Sequence, residues 1–184
     1  PGGETEVRPA EGRDEMLVDD VERPCEMEIV TVEQWAGVGQ LSSRMEKEGF
    51  PVGAVCEQIE VLLKMHNEKS PQALLARDFY TKAWKDWKGF LYSKGRQTGA
   101  VVAGFPCVTL SSAGKQLMQL DRRSDALMGT IEMALWLDAW ALLLENVFEL
   151  LTLDPTHGML SAAEQKLREA GWYRLFAIKV MHSK

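Results

Sequence analysis

Four short segments of this chain carry residue types that could do chemistry. Gly104-Phe-Pro-Cys107 puts a cysteine in a turn after an apolar run. A thiol held there, near a helix start or a base, can become a nucleophilic thiolate. Pro106 fixes the backbone immediately before it. The plain alternative for Cys107 is a buried structural cysteine, the commoner fate of a lone one. Glu145-Asn146 directly follows the apolar run Leu142–Leu144. Desolvation at such an edge would raise the carboxyl pKa and suit Glu145 to act as an acid near neutral pH. Its plain alternative is a polar strand end. Trp35-Ala-Gly-Val-Gly39 is a glycine turn between a strand and a helix. Such a turn lets a ligand approach the backbone, and the helix amides favour negative charge. It lacks the third glycine of dinucleotide spacing, and a tight turn with no ligand is an equal reading. Glu57 ends the next strand, where an acid commonly accepts hydrogen bonds from ribose hydroxyls. It could equally begin a helix and complement its dipole. Together, turn and acid suggest an adenosine-containing ligand without a large phosphate demand.

The elements that must position these residues can be read from hydrophobic periodicity. Residues 28–34 (EIVTVEQ) and 52–56 (VGAVC) alternate or are β-branched and read as strands. Residues 40–48 suit a helix that Gly49 ends, and 57–67 suit a second. Residues 73–76 are a poor strand candidate, whereas 100–103 (AVVA) is an apolar strand. Residues 125–138 read as a long amphipathic helix, 140–144 (WALLL) as a buried strand, and 173–181 as a last strand. Residues 161–170 read as a helix with a Ser161/Glu164 capping box, stopped by Gly171. Alternating strands and helices imply an α/β fold, a mostly parallel sheet with helices on both faces. Ligands of such sheets sit at the carboxyl ends of the strands. The glycine turn, Glu57, Cys107 and Glu145 all fall there.

Composition sets outer bounds. The 184 residues are 46% hydrophobic and 26% charged, which suits one globular domain. Residues 1–28 hold ten acids and three bases, a net of −7, so the remaining 156 residues carry +1 of the total −6. Residues 1–27 read as a disordered acidic tail and 28–184 as the domain. The balance argues against gripping nucleic acid by bulk positive charge. No apolar run nears the ~18 residues of a membrane span, and the acidic, Gly/Pro-rich start does not read as a signal peptide. A first residue other than Met suggests a chain cut from something longer. Three scattered cysteines (Cys25, Cys56, Cys107) make no disulfide framework, so a reducing compartment is expected. His66, His157 and His182 have no metal-like spacing with them, and no zinc is expected.

GFPCVTLSSAGK, DRRSDAL and LLLENV, in this order and spacing, resemble the DNA (cytosine-5)-methyltransferase family. WAGVGQLSSRMEKEGF followed by VGAVCE resembles the same family's opening, which binds S-adenosylmethionine. The likeness runs from about Ile29 to Lys184. It implies a Rossmann-like methyltransferase fold and, for each matching position, a role. Trp35, Gly37 and Gly39 would line the S-adenosylmethionine pocket, Glu57 would bind the ribose and Asp78 would lie near the adenine. Cys107 would be the nucleophile with Pro106 its partner, and Glu145 would act on ring nitrogen 3. Asn146 would help hold that loop, and Arg123 matches an arginine of the family. DNA is the implied substrate, with its target cytosine flipped out of the stack. The implied location is nuclear in a eukaryote and the cytoplasmic nucleoid in a bacterium.

The resemblance also stops short. The family's glutamine after Pro-Cys is Val108 here, and Trp35 is larger than the usual aromatic. An expected Gln-x-Arg-x-Arg segment, a target-recognition domain and a closing helix do not follow residue 181. The chain is therefore expected to be a fragment or a degenerate relative, which weighs against independent turnover. A catalytically inactive S-adenosylmethionine-binding module, needing a second chain to supply the missing motifs, is the second reading. A dehydrogenase-like dinucleotide binder is a third, which leaves Cys107 and Glu145 unexplained. Trp84 and Trp87 among Lys82, Lys85 and Lys88 read as core with lysines around it, and Trp136 and Trp140 as packing. Lys115, Arg122 and Arg123 are the better DNA-facing candidates.

Overall fold

A computed structural model describes residues 26–78, 82–104, 125–146 and 158–172. Five strands form one sheet: β1 (Glu28–Gln34), β2 (Val52–Cys56), β3 (Leu74–Ala76), β4 (Arg96–Gly104) and β5 (Ala141–Glu145). Their order is β3-β2-β1-β4-β5, and every pairing is parallel. The helices are α1 (Gln40–Lys47), α2 (Glu60–Lys69), α3 (Trp87–Ser93), α4 (Asp125–Trp136) and α5 (Met159–Glu169). A 3-10 turn, Ala83–Asp86, leads into α3. The expected α/β fold is thus present, with β1 at the point where the strand order reverses. None of these helices is long and apolar enough to cross a membrane.

The two faces of the sheet bury different residues. Val30, Val32, Ala54, Cys56 and Val101 join Trp84, Trp87 and Leu91, together with Met133 and Leu137 of α4. This places the 3-10 turn, α3 and α4 over one face, and it bears out the core reading of Trp84 and Trp87. On the other face Val52 and Val55 pack with Ala36, and Glu33 meets Ser42 of α1. Leu127 and Ile131 extend the core from α4 to Ala163 and Leu167 of α5. Glu132 ties these elements together, accepting from Lys82 at 3.2 Å and from Lys166 of α5 at 2.9 Å. Chiefly the Lys166 hydrogen bond holds its carboxyl below the usual range. Gly53 lies so close to Val30 that a Cβ there would overlap its side chain.

Several expectations need correction. β3 exists although its residues are weak strand formers, because three of them pair with β2 from Ala54↔Leu74 to Cys56↔Ala76. β4 is longer than 100–103. α2 starts at Glu60 rather than Glu57. α5 starts at Met159, with Gly158 in left-handed geometry at its cap, so Ser161 lies inside the first turn instead of capping it. Gly171 at φ +86 does end α5, where Trp172 N–H bonds the Leu167 carbonyl at 3.0 Å. β5 is not a buried strand. Among the described residues it is the sheet edge, and Leu143 and Leu144 are exposed. Trp136 and Trp140 are not core either, being 49% and 63% exposed. The Trp136 indole instead donates to the Lys85 carbonyl at 2.9 Å. Residues 1–25, Pro106, Cys107, Val108, Lys115, Arg122, Arg123 and the strand at 173–181 lie outside the described residues.

Gln34 alternates with Val30 and Val32 along β1 and is fully buried, yet among the described residues neither amide atom has a hydrogen-bond partner. A buried amide without partners costs about 1–3 kcal/mol. Gln34→Met, nearly equal in volume, is expected to raise unfolding stability by about 1–2 kcal/mol. Urea denaturation reads this as a later midpoint at unchanged slope, and an earlier midpoint would refute it.

Candidate functional site

The site is assembled at the carboxyl edge of β1, β2 and β5. β1 ends at Gln34, and the next residue, Trp35, is left-handed at φ +57. An aromatic residue rarely adopts that conformation, and the strain is of order 1–3 kcal/mol. It turns the chain sharply off the strand while Trp35 packs against both the main core and the α4–α5 core. Gly37 at φ +53 and Gly39 at φ +74 complete the turn, and the Gly39 N–H closes it on the Ala36 carbonyl at 2.8 Å. Around Gly37 the space a Cβ would occupy is open to 4 Å. A bound molecule can therefore reach the backbone there, as the sequence suggested for this turn.

Glu57 follows β2 and is 6% exposed. Its Oε2 accepts the Gly37 N–H at 2.7 Å, and its Oε1 accepts the Ile59 N–H at 2.8 Å. The bond to the Ile59 N–H agrees with the reading of Glu57 as a brace before a helix, and the bond to Gly37 adds a role the sequence does not signal. Glu57 braces the approach to α2 and it fastens the glycine turn. A carboxylate has about four acceptor positions, so two charge-assisted bonds leave room for ligand hydroxyls. Asp78, two residues past β3, is exposed at the same edge.

Glu145 ends β5 opposite Gly104, the last residue of β4. Its Oε2 lies 3.3 Å from where a Cβ on Gly104 would be. Glu145 is exposed, so the described residues do not supply the expected desolvation; edge position rather than the preceding leucines sets its environment. Asn146 is half-buried beside it. The structure thus brings Trp35, Gly37, Gly39 and Glu57 together, and sets Glu145 at the start of the segment that leads to Cys107. Pro106, Cys107 and Arg123 themselves lie outside the described residues.

Cys56 is removed from the list of working thiols. It is 2% exposed, and burial, with Glu57 and Asp78 adding negative charge, pushes its pKa up to about 12. A thiol so seldom ionised is a poor nucleophile. Among the described residues no group of three or more His, Cys, Asp or Glu side chains is placed to hold a metal ion.

The residue that sequence reasoning missed is His66. It was weighed only as a metal ligand, yet it lies buried on α2 against the turn. Its Nε2 stands 3.0 Å from the Gly37 carbonyl, and a Cβ on Gly39 would come 2.6 Å from its Cε1. No sequence signal marks this, because Gly37 and His66 are 29 residues apart. Gly39→Ala is accordingly expected to cost stability twice. The left-handed backbone adds about 1–2 kcal/mol, and the methyl collides with a ring that is held in place. A total loss of about 2–4 kcal/mol is expected in urea denaturation. A loss of only about 1 kcal/mol, the backbone share alone, would show that the ring moves aside freely.

Comparison with known proteins places this geometry in a family. A family model described as C-5 cytosine-specific DNA methylase matches residues 29–184. A solved structure described as a DNA modification methyltransferase encoded within a prophage (E. coli) superposes with a TM-score of 0.62. The identity is 20%, over 77% of this chain and 38% of that one. A mutant of Spodoptera frugiperda DNMT2 gives a TM-score of 0.49 and 18% identity, over 77% and 41%. The prophage protein shares the fold at an identity too low to speak to more, and the second likeness carries no argument. The chain covers about two fifths of each of these two proteins. No curated protein matches the sequence significantly.

Proposed function

Because the chain belongs to the C-5 cytosine-specific DNA methylase family, we propose that it acts on cytosine in DNA with S-adenosylmethionine as methyl donor. The observation that carries this reading is the pairing of Gly104 with Glu145. It sets a carboxyl group beside the start of Gly104-Phe-Pro-Cys107. Three residues of chain span at most about 11 Å, which supports assigning the candidate acid and the candidate thiol to one site. The exposure of Glu145 leaves it reachable by a base flipped from the duplex.

The cofactor reading fits the residues present. Gly37 is open to close approach, and buried Glu57 retains acceptor capacity for ribose hydroxyls. Trp35, Gly37, Gly39 and Glu57 would hold the cofactor, with Asp78 near the adenine. When bound, it supplies an electrophilic methyl group. The chain's own residues do the rest. Cys107, as thiolate, adds to cytosine carbon 6 while Glu145 donates a proton at nitrogen 3. The ring's electron pair then gathers at carbon 5, which becomes able to take the methyl. Return of the nitrogen 3 proton to Glu145 and removal of the carbon 5 proton by a base let the thiolate leave and restore the aromatic ring. Pro106 would stiffen the nucleophile's backbone, Asn146 would steady the loop of Glu145, and Arg123 would face the DNA. Holding thiol, acid and donor together supplies much of the rate.

A covalent trap tests this. Duplex DNA carrying 5-fluorocytosine in many sequence contexts is mixed with the chain and S-adenosylmethionine. Fluorine cannot leave as a proton does, so a competent enzyme stalls on the base. A denaturant-resistant adduct that Cys107→Ser removes is the expected result. A folded chain that binds S-adenosylmethionine yet forms no adduct would overturn catalysis by this chain and leave a binding module. Failure to bind S-adenosylmethionine would overturn the cofactor assignment.

A further inference from the structure

We propose that His66 is the positioning residue of the glycine turn, fixing it in the shape that receives the cofactor and thereby setting cofactor affinity. The inference rests on the cofactor reading above and goes beyond it, since His66 would touch neither substrate nor cofactor.

Three observations converge on this residue. First, a carbonyl oxygen can only accept, so the 3.0 Å contact from Nε2 to the Gly37 oxygen makes His66 the donor and places its ring proton on Nε2. Second, the edge of the same ring fills the space against Gly39 that any side chain there would need. Third, the partner atoms belong to the turn on both sides of its open point. Glu57 takes the Gly37 N–H, and His66 takes the Gly37 carbonyl. The peptide groups flanking Gly37 are thereby clamped from opposite directions while its own Cα face stays open. Lys69, one turn further along α2, donates to the Val38 carbonyl at 3.2 Å. Ser42 donates to the Gly39 carbonyl at 3.4 Å. Carbonyls of three consecutive turn residues are thus taken by side chains; Lys69 is exposed, His66 and Ser42 are both buried, and the His66 contact, at 3.0 Å, is the shortest of the three.

A left-handed turn of this kind has little intrinsic preference for one conformation, because glycine pays no steric cost elsewhere. A clamp that removes alternatives before binding lowers the entropy lost on binding.

The experiment measures S-adenosylmethionine binding by calorimetry on the full chain and three variants. His66→Phe keeps a ring against Gly39 and loses the donor. His66→Gln places an amide nitrogen near the position of Nε2. His66→Asn carries the same amide too short to reach. The expected result is about tenfold weaker binding for Phe and Asn, the scale of one lost hydrogen bond. The Gln variant is expected within about threefold of the original. Amide hydrogen exchange at Gly37 and Gly39, without cofactor, is expected to rise in Phe and Asn and to recover in Gln. Equal affinity in all four proteins would overturn the inference and leave the cofactor reading intact. A Gln variant as weak as Phe would also overturn it, since packing alone would then explain the loss. Should His66→Phe fail to fold, the Gln and Asn pair decides the matter by the same comparison. If the unaltered chain binds no S-adenosylmethionine, the cofactor reading itself fails and this inference falls with it.

Discussion

Cys107→Ser is expected to abolish methyl transfer to DNA while leaving S-adenosylmethionine affinity within about twofold. The expected drop is roughly four orders of magnitude or more, the scale seen when a covalent nucleophile is removed. The reason is ionisation. A serine hydroxyl is not appreciably deprotonated near neutral pH, whereas a thiol needs only a modest push to become thiolate. Transfer of a radiolabelled methyl group reads the first half of the prediction, and calorimetry reads the second. Cys56 does not compete for the role, being the buried last residue of β2 with its thiol pushed up to about 12. Residual transfer above a tenth of the original rate would remove Cys107 from the reaction and with it the covalent route.

What the sequence disclosed here depended on whether the cause was local. β1 and β2 were read with the boundaries the structure has, because 28–34 alternates and 52–56 is a compact apolar run between turn residues. Gly49 ends α1 as read, with φ +90 and the Phe50 N–H returning to the Met45 carbonyl at 3.0 Å. β5 shows the opposite case. Three leucines in a row describe a strand that could be covered on both faces, but coverage belongs to the neighbours, and the run itself does not hold that information. The same holds for Trp140, apolar in kind and 63% exposed in place. β3 was discounted because three weak strand formers carry no pattern, yet pairing with β2 makes them a strand.

The candidate site divides along the same line. Its residue types were legible, since a glycine pair after a strand and an acid after the next one have a stated chemical use. Its mechanics were not. The clamp on Gly37 and the place of His66 arise from contacts across 20 to 29 residues of sequence. Glu145 was placed correctly at the end of β5 and wrongly in a dry environment, for the reason that misjudged the strand beneath it.

Glu57→Ala is expected to weaken S-adenosylmethionine binding by at least about 100-fold, or ~2.7 kcal/mol. The loss has two parts. The carboxylate holds the turn through Gly37 at 2.7 Å and the start of α2 through Ile59 at 2.8 Å. Bonds of this charged kind are worth about 1.5–3 kcal/mol each. Removing them frees the turn and also removes the acceptors proposed for the ribose. Glu57→Gln separates the parts. The amide keeps the shape but has one oxygen and one nitrogen facing two N–H donors. One bond survives, and the other becomes a contact between donors. Its binding is expected to fall about tenfold, between Ala and the original. Binding of Gln equal to that of Glu would show that charge is not used. Lost stability with unchanged affinity in Glu57→Ala would make Glu57 a structural brace alone. A carboxylate is the side chain that can serve both ends here, because two of its acceptor positions satisfy the backbone and about two more remain for a ligand.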